Sequence, residues 1–455
     1  MERINGLPDE ILVLVFEQSS YYIVTGTDRH SQADKKTVVP NAQGGGTTRD
    51  PLPLAILVAH VCQRWRRIAF GTPLVWRTVP IVNPKNKKLL KMFLDHSGVY
   101  PLDIFLHAKN LGTSDAMTTI LEQSHRWNGL YIRVASAPFL FVVINHLRHA
   151  IAPRLRRFEL YIDAQPKSVG HLPPIFNHHP PDLHTLRLEG GTFDFRSSIM
   201  CGLTSLTLAR FPRGMGQPSH TTFRDILAAS PHLLHLSLDG VLPRLAVDIQ
   251  YDEIEVPTLE SLTLTLYQGC DTIEQLFAVL VVPRLRTLIY NSGWTVAFSY
   301  FDASLPILAA KYGSLQELHF TIACETPLLD QGVDPLFFCA FPNLRSLVLN
   351  VFDDAYAAYF VLPWIEASHS GGGHLTEGVW PKFDLLTVRA PYDNDGSVDL
   401  DDVLEILATV RMSLDLPFDL LESSIYEERF TEMKQIRYEM VDTTLEKGYG
   451  SVLHR

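Results

Sequence analysis

The sequence predicts an α/β solenoid: a small helical module, then an irregular horseshoe on a parallel sheet. Three observations predict it. A Leu-x-x-Leu-x-Leu pattern recurs along most of the chain beyond residue 150. Stretches with helical patterning, such as residues 222–230 and 272–280, separate the copies. Two apolar blocks of helical character, residues 7–16 and 54–76, come before all of them. Strand, turn and helix repeated in that order give stacked parallel strands with helices outside.

The first block reads Leu7-Pro8-Asp9-Glu10-Ile11-Leu12 and stays apolar to Phe16. Pro8 suits the first helical position, where its missing N–H loses nothing. Asp9 and Glu10 put carboxylates in the first turn, where the helix dipole favours them. One buried stripe needs only some of the positions from Ile11 to Phe16. The excess predicts a second apolar contact, beyond the module itself. The second block carries Val61-Cys62-Gln63-Arg64-Trp65-Arg66-Arg67-Ile68 and ends on Pro73-Leu74-Val75-Trp76. There Val61, Trp65 and Ile68 share a face at i, i+4 and i+7.

In order, these pieces follow the F-box pattern: Leu-Pro-x-Glu-Ile-Leu, then Val-Cys-x-x-Trp-Arg, then Pro-x-x-Trp. The amino-terminal region resembles an F-box, most of all the F-box-like group of fungi, over about the first sixth of the chain. The resemblance implies docking on a Skp-type adaptor, and through it on a cullin. It implies that Leu7, Pro8, Ile11, Leu12, Val15, Phe16, Val61 and Trp65 carry that docking. The family joins its first two helices by a short link, whereas here a polar stretch with Gly44-Gly45-Gly46 intervenes. Residues 24–51 are expected to be a flexible insertion, since closure entropy grows only slowly with loop length. The three glycines are no phosphate cradle, because no Lys-Ser/Thr follows them and no strand feeds them. The helical module is thus expected over residues 1–80. The repeat array with its carboxyl-terminal cap is expected over 81–455.

In the array, Pro often stands two residues before the first Leu of a copy. The first leucines fall at 155, 183, 203, 233, 259, 285, 315 and 344. These steps reach and pass the upper end of the about 20–29 residues usual for leucine-rich repeats. Most copies also lack the repeat's Asn, so the array is leucine-rich-repeat-like. Trp127, Leu130 and Ile132 form an early copy, Phe383, Leu386 and Val388 a degenerate one, and Met433, Ile436 and Tyr438 a last one. Side chains between the strand leucines are expected on the concave face, where solenoids bind partners. Tyr131, Arg133, Tyr161, Arg187 and Glu189 are the candidates for target binding, with Glu159, Asp239, His319 and Arg389 on the same face.

Composition narrows the function classes. The chain has 455 residues, 46% of them hydrophobic, and a formal charge of −11. That balance argues against nucleic acid as a partner. No apolar run is long enough for a membrane span. Five scattered cysteines without a C-x-x-C suggest free thiols in a reducing compartment, hence an intracellular protein of cytoplasm or nucleus. The acidic run at Asp393-Asn394-Asp395-Gly396 puts Pro391 where a calcium loop needs its first ligand. His171, His178, His179 and His184 lack zinc-type partners at usable spacing. No G-x-S-x-G elbow, Walker motif or dinucleotide fingerprint occurs. No catalytic residue, metal or cofactor is expected.

The resemblance thus implies a non-catalytic substrate-recognition subunit of a Skp-cullin-F-box type ubiquitin ligase. The alternative is a leucine-rich-repeat scaffold whose helical module is only a cap. In either case the insertion should be dispensable. Limited proteolysis should cut within residues 24–51 first, and replacing them by a short linker should leave the melting temperature unchanged.

Overall fold

The computed structural model describes residues 6–25, 53–81, 86–108, 113–163, 174–176, 180–191, 193, 195, 198–211, 217–245, 249–266, 273–292, 311–322, 341, 343–350, 385–391, 420–426 and 434–438. The chain divides into two compact units, Met1–Leu285 and Arg286–Arg455. Both are α/β or β in construction and rest on parallel strands.

The first unit opens with helices α1 (Asp9–Thr25), α2 (Leu54–Val61) and α3 (Gln63–Gly71), then a 3-10 turn at Pro73–Trp76. Helix α1 runs past residue 24, where the insertion was expected to start, and the rest of that segment lies outside the described residues. Two helices stand where one was expected over Val61–Ile68. Cys62 is extended at φ −156° and separates them, and its Sγ accepts the N–H of Trp65 at 3.4 Å to cap α3. Trp76 anchors the end of the module. It is fully buried, donates from Nε1 to the Ala69 carbonyl at 2.7 Å, and meets the rings of Phe70 and Phe93.

Strands β1 (Thr78–Ile81), β2 (Leu102–Ala108), β3 (Trp127–Val134) and β4 (Arg157–Ile162) follow, with helices α4 (Lys87–His96), α5 (Thr113–Leu121) and α6 (Ala137–Leu147) between them. Then come β5 (Thr185–Glu189), β6 (Ser205–Ala209), α7 (His220–Ala228), β7 (His235–Asp239), β8 (Ser261–Leu266) and α8 (Ile273–Val279). The helices start where capping chemistry allows. Asn86 accepts the N–H of Leu89 at the head of α4, and Ser219 accepts that of Thr222 at the head of α7. Each strand from β1 to β7 pairs in parallel with the next.

The second unit pairs β9 (Thr287–Ser292), β10 (Glu317–Ile322), β11 (Ser346–Asn350), β12 (Leu385–Pro391) and β13 (Leu420–Tyr426) in parallel. Strand β14 (Lys434–Tyr438) runs antiparallel to β13. The copy expected at Met433, Ile436 and Tyr438 is therefore no parallel repeat. Its strand closes on its predecessor instead of following a crossover. Arg389 lies on β12, but its side chain is outside the described residues, as are residues 393–402.

Register explains the leucine pattern. Phe158 pairs with Leu186, Leu186 with Leu206, Leu206 with Leu236 and Leu236 with Leu262, and the next leucine of each strand does likewise. All are buried, as are Leu288, Leu318, Leu347 and Leu386 in the second unit. The Pro before several of the copies has a local role. The N–H of Leu155 bonds back to the Ala152 carbonyl, that of Leu233 to Ser230, that of Leu259 to Val256 and that of Leu285 to Val282. Each is a four-residue turn with Pro at its second position, where its fixed φ fits. One carbonyl then starts each new strand: His184 accepts from Thr204 and Ser205, Thr204 from Leu234 and His235, and Leu234 from Glu260 and Ser261.

Strand β2 was not anticipated, although Leu102, Ile104, Leu106 and Ala108 alternate as a strand requires and all face the core. Val348 was expected on the face opposite the leucines, pointing outward. It is on that face but buried, a short side chain flanked in register by His319 and Thr387.

Leu262→Ala should lower stability by ~2–5 kcal/mol, the range for a large-to-small core change. Denaturant unfolding measures it, with Thr263→Ala in the neighbouring, half-buried position costing well under half as much.

Candidate protein-docking surfaces

Two surfaces in the first unit combine accessible side chains with a rigid base. The helical module is the first. Its centre is closed: Leu12 and Phe16 of α1 are 1% and 2% exposed, and the Phe16 ring meets that of Trp65 at 5.0 Å. Arg64 of α3 ties down the start of α1. Its Nε and Nη2 donate to Asp9 Oδ1 at 2.8 and 2.5 Å, and Nη2 also donates to the Leu7 carbonyl at 2.6 Å. Arg67 adds a looser pair with Asp9 at 3.6 Å.

Against that closed centre, Ile11, Leu14 and Val15 of α1 and Leu57 and Val61 of α2 are each between 41% and 54% exposed. On α1 these positions lie on the side away from Leu12 and Phe16, as 3.6-residue periodicity requires. Of the docking residues expected from the sequence, Pro8, Ile11, Val15 and Val61 are exposed and Leu7 half-buried. Leu12 and Phe16 face the module's own core and present no surface, because the i, i+4 pair is what holds α1 to α3. Trp65 is half-buried on Phe16, and its indole N–H has no partner among the described residues. Leu14 and Leu57 were not anticipated. The heptad-like spacing of Ile11, Leu14 and Val15 was visible in the sequence, but which of two apolar stripes would turn inward was not.

The second surface is the sheet face opposite the leucines. Aligned across β4 to β8, one row runs Glu159, Arg187, Thr207, Ser237 and Thr263. The next runs Tyr161, Glu189, Ala209, Asp239 and Thr265. On β2 and β3, Phe105 and Tyr131 stack with parallel rings 4.1 Å apart. Tyr131 lies on the expected face, in register with Glu159, but is buried rather than open to a partner. Arg133 is exposed, and its Nε and Nη2 donate to the two oxygens of Asp163 at 2.7 and 3.2 Å.

Charge on this face is ordered by contact. The Tyr161 hydroxyl donates to Glu159 at 2.5 Å, and the Arg187 guanidinium stands 5.0 Å from the centre of the Tyr161 ring. Glu189 was expected to be open to a partner but is buried beneath two arginines. Arg187 Nη2 donates to its Oε2 at 2.9 Å, and Arg210 Nη1 lies 3.0 Å from its Oε1. Arg210 Nε is also 4.0 Å from Asp239 Oδ2. Burial works against the charge on Arg187, but Tyr161, Glu189 and Glu159 outweigh it and hold its pKa above the usual value.

Sequence reading missed Arg210. It follows directly on β6, as Gly190 follows β5 and Gly240 follows β7, and all three have positive φ: 51°, 85° and 66°. Each donates its N–H to a carbonyl at the carboxyl end of the next strand, that of Ala209, Asp239 and Thr265 in the order Gly190, Arg210, Gly240. An alignment of copies on their strands would have exposed an arginine in a glycine position. Among the described residues, no group of three or more His, Cys, Asp and Glu could hold a metal, and no helix is long and apolar enough to cross a membrane.

No protein-family model matches the sequence, and no curated protein matches it significantly.

Gly190 has no room for a side chain, since an added Cβ would fall on the Ile162 carbonyl. Gly190→Ala should destabilise the first unit by ~1–3 kcal/mol or more from backbone strain alone. Gly202→Ala, at a similar φ of 71° but with open space around it, supplies the reference for strain without the clash.

Proposed function

We propose that this chain is the substrate-recognition subunit of a Skp-cullin-F-box type ubiquitin ligase. The helical module docks on a Skp-type adaptor, and through it on a cullin. The strands that follow act as a leucine-rich-repeat-like solenoid and hold a protein target on the face opposite the leucines. One observation carries the reading: the module keeps a closed core and still exposes apolar side chains on α1 and α2. Large exposed apolar clusters mark interaction sites. The ordered Leu-Pro-x-Glu, Trp-Arg and Pro-x-x-Trp segments agree with it.

On this reading no residue of the chain is catalytic and no cofactor is needed. The receptor works by proximity, raising the target's effective concentration near the ligase. It acts inside the cell, where adaptor and cullin are found. The adaptor surface comprises Leu7, Pro8, Ile11, Leu14, Val15 and Val61. The target surface comprises Arg133, Tyr161, Arg187 and, below it, Glu189.

Affinity capture of the full chain with the proteasome blocked is the direct test. Adaptor and cullin should copurify. Replacing Leu7 and Pro8 by Ala, or Ile11 and Val15 by Ala, should weaken adaptor binding by about tenfold or more, some 1.4 kcal/mol. The melting temperature should hold, since none of these side chains fills the core. Absence of adaptor and cullin from the capture would leave a scaffold with a helical cap.

A further inference from the structure

The carboxyl ends of β5, β6 and β7 bear two local costs in one place. Arg210 sits at φ 51°, where its neighbours in the array use glycine. A residue with a side chain is strained there by roughly 1 kcal/mol or more. Arg187, beside it, has a buried Nε with no partner among the described residues. Unsatisfied buried donors are rare enough to need a reason. Glycine after β6 would remove the first cost without disturbing the strand. The strain falls on an exposed arginine and so points to a spot kept for recognition rather than for stability, whereas the Arg187 Nε is closed to solvent and marks only a cost of packing there.

The charges there indicate what is recognised. Both arginines grip Glu189, and Arg210 also approaches Asp239. Arg133 is matched by Asp163 in the same way. The guanidiniums are the more exposed members: the Arg187 and Arg210 side chains are 32% and 41% exposed, those of Glu189 and Asp239 11% and 17%. A partner thus meets planar hydrogen-bond donors whose charge is already balanced from below. An anionic group gains little from such a site, because carboxylates lie directly under it. The row of Arg187 continues as Thr207, Ser237 and Thr263, short hydroxyl side chains that donate or accept and carry no charge.

We infer that the cluster of Arg187, Glu189 and Arg210, with the hydroxyls of Thr207, Ser237 and Thr263, binds an uncharged polar peptide segment rich in side-chain amides and hydroxyls. Recognition is by hydrogen bonds to its carbonyl and amide groups, not by net charge. The inference rests on the reading of the chain as a target receptor, and it names the chemistry of the target.

The probe is an array of short synthetic peptides in matched classes: Asn/Gln/Ser/Thr-rich and neutral, Asp/Glu-rich, serine-phosphorylated, and Lys/Arg-rich. The full chain is bound to it without adaptor. The neutral polar class should bind best. Its affinity should change by less than about threefold between ~0.05 and ~0.5 M salt, since little net charge is screened. Arg210→Gly should weaken that binding by about tenfold or more, with a melting temperature unchanged or raised by the relieved strain. Thr207→Val and Thr263→Val keep the shape, remove one hydroxyl each, and should each reduce binding several-fold. Preference for the acidic, phosphorylated or basic class, no binding by any class, a steep salt dependence, or full binding by Arg210→Gly would overturn the inference. Adaptor capture on the same variants keeps the two readings apart. Lost peptide binding with intact adaptor binding touches only the target surface, and the reverse result sinks only the ligase reading.

Discussion

The register of the parallel strands is the constraint on which the rest depends. In both units the buried leucine of one strand lies beside that of the next, as Leu236 lies beside Leu262 and Leu318 beside Leu347. Side chains alternate with period two, so a slip of one residue would send every leucine to the opposite face. Several features hold the register against that slip. A four-residue turn before most of the copies places the first leucine, and in successive copies one carbonyl accepts the first two N–H groups of the next. The irregular spacing between copies is absorbed elsewhere, in connections that register does not restrict.

Because the leucine face is spoken for, the opposite face is free to vary in chemistry at small cost in stability. In the first unit it changes character along the chain, from the Phe105–Tyr131 stack, through the arginine–carboxylate contacts of β4 to β6, to hydroxyls on β7 and β8. The arginine contacts are only partly shielded, so each adds little to stability. Their effect is to fix planar donors in one orientation. A buried arginine elsewhere shows the same device in a structural role. Arg126 donates to the Tyr100 carbonyl, the Gln123 side chain and the Ser97 hydroxyl, and binds no carboxylate among the described residues. Burial lowers its pKa, and it serves to hold the turn after α4.

The helical module obeys a different balance. Its core includes the fully buried Trp76 and Phe16, with Trp65 half-buried against Phe16. Arg64 secures the start of α1 through Asp9 and the Leu7 carbonyl rather than through apolar contact. Polar fastening at that end leaves Ile11, Leu14 and Val15 uncommitted. Exposed apolar side chains on an otherwise closed module give the docking proposal its physical basis.

Much of this was legible in the sequence, because hydrophobic periodicity is a local signal. The strands at Leu186, Leu206, Leu236, Leu262, Leu318 and Leu347, the helices at Phe223 and Ile273, and the apolar excess of the first block all follow from spacing. The break at Cys62 and the strand at Leu102 were within reach but escaped, one hidden by a continuous helical pattern, the other by the lack of a preceding Pro-x-Leu turn. Other features depend on which residues meet through space. Sequence alone could not say that Leu12 and Phe16, rather than Ile11 and Val15, turn inward, since both pairs are spaced for a helix face and only packing on Trp65 separates them. Nor could it bury Glu189 under Arg187 and Arg210, which come from the next strand's end as well as its own. Local patterning set the elements and their inner faces. The tertiary structure decided which charges cancel and which apolar side chains stay in solvent, because both depend on neighbours far apart in the chain.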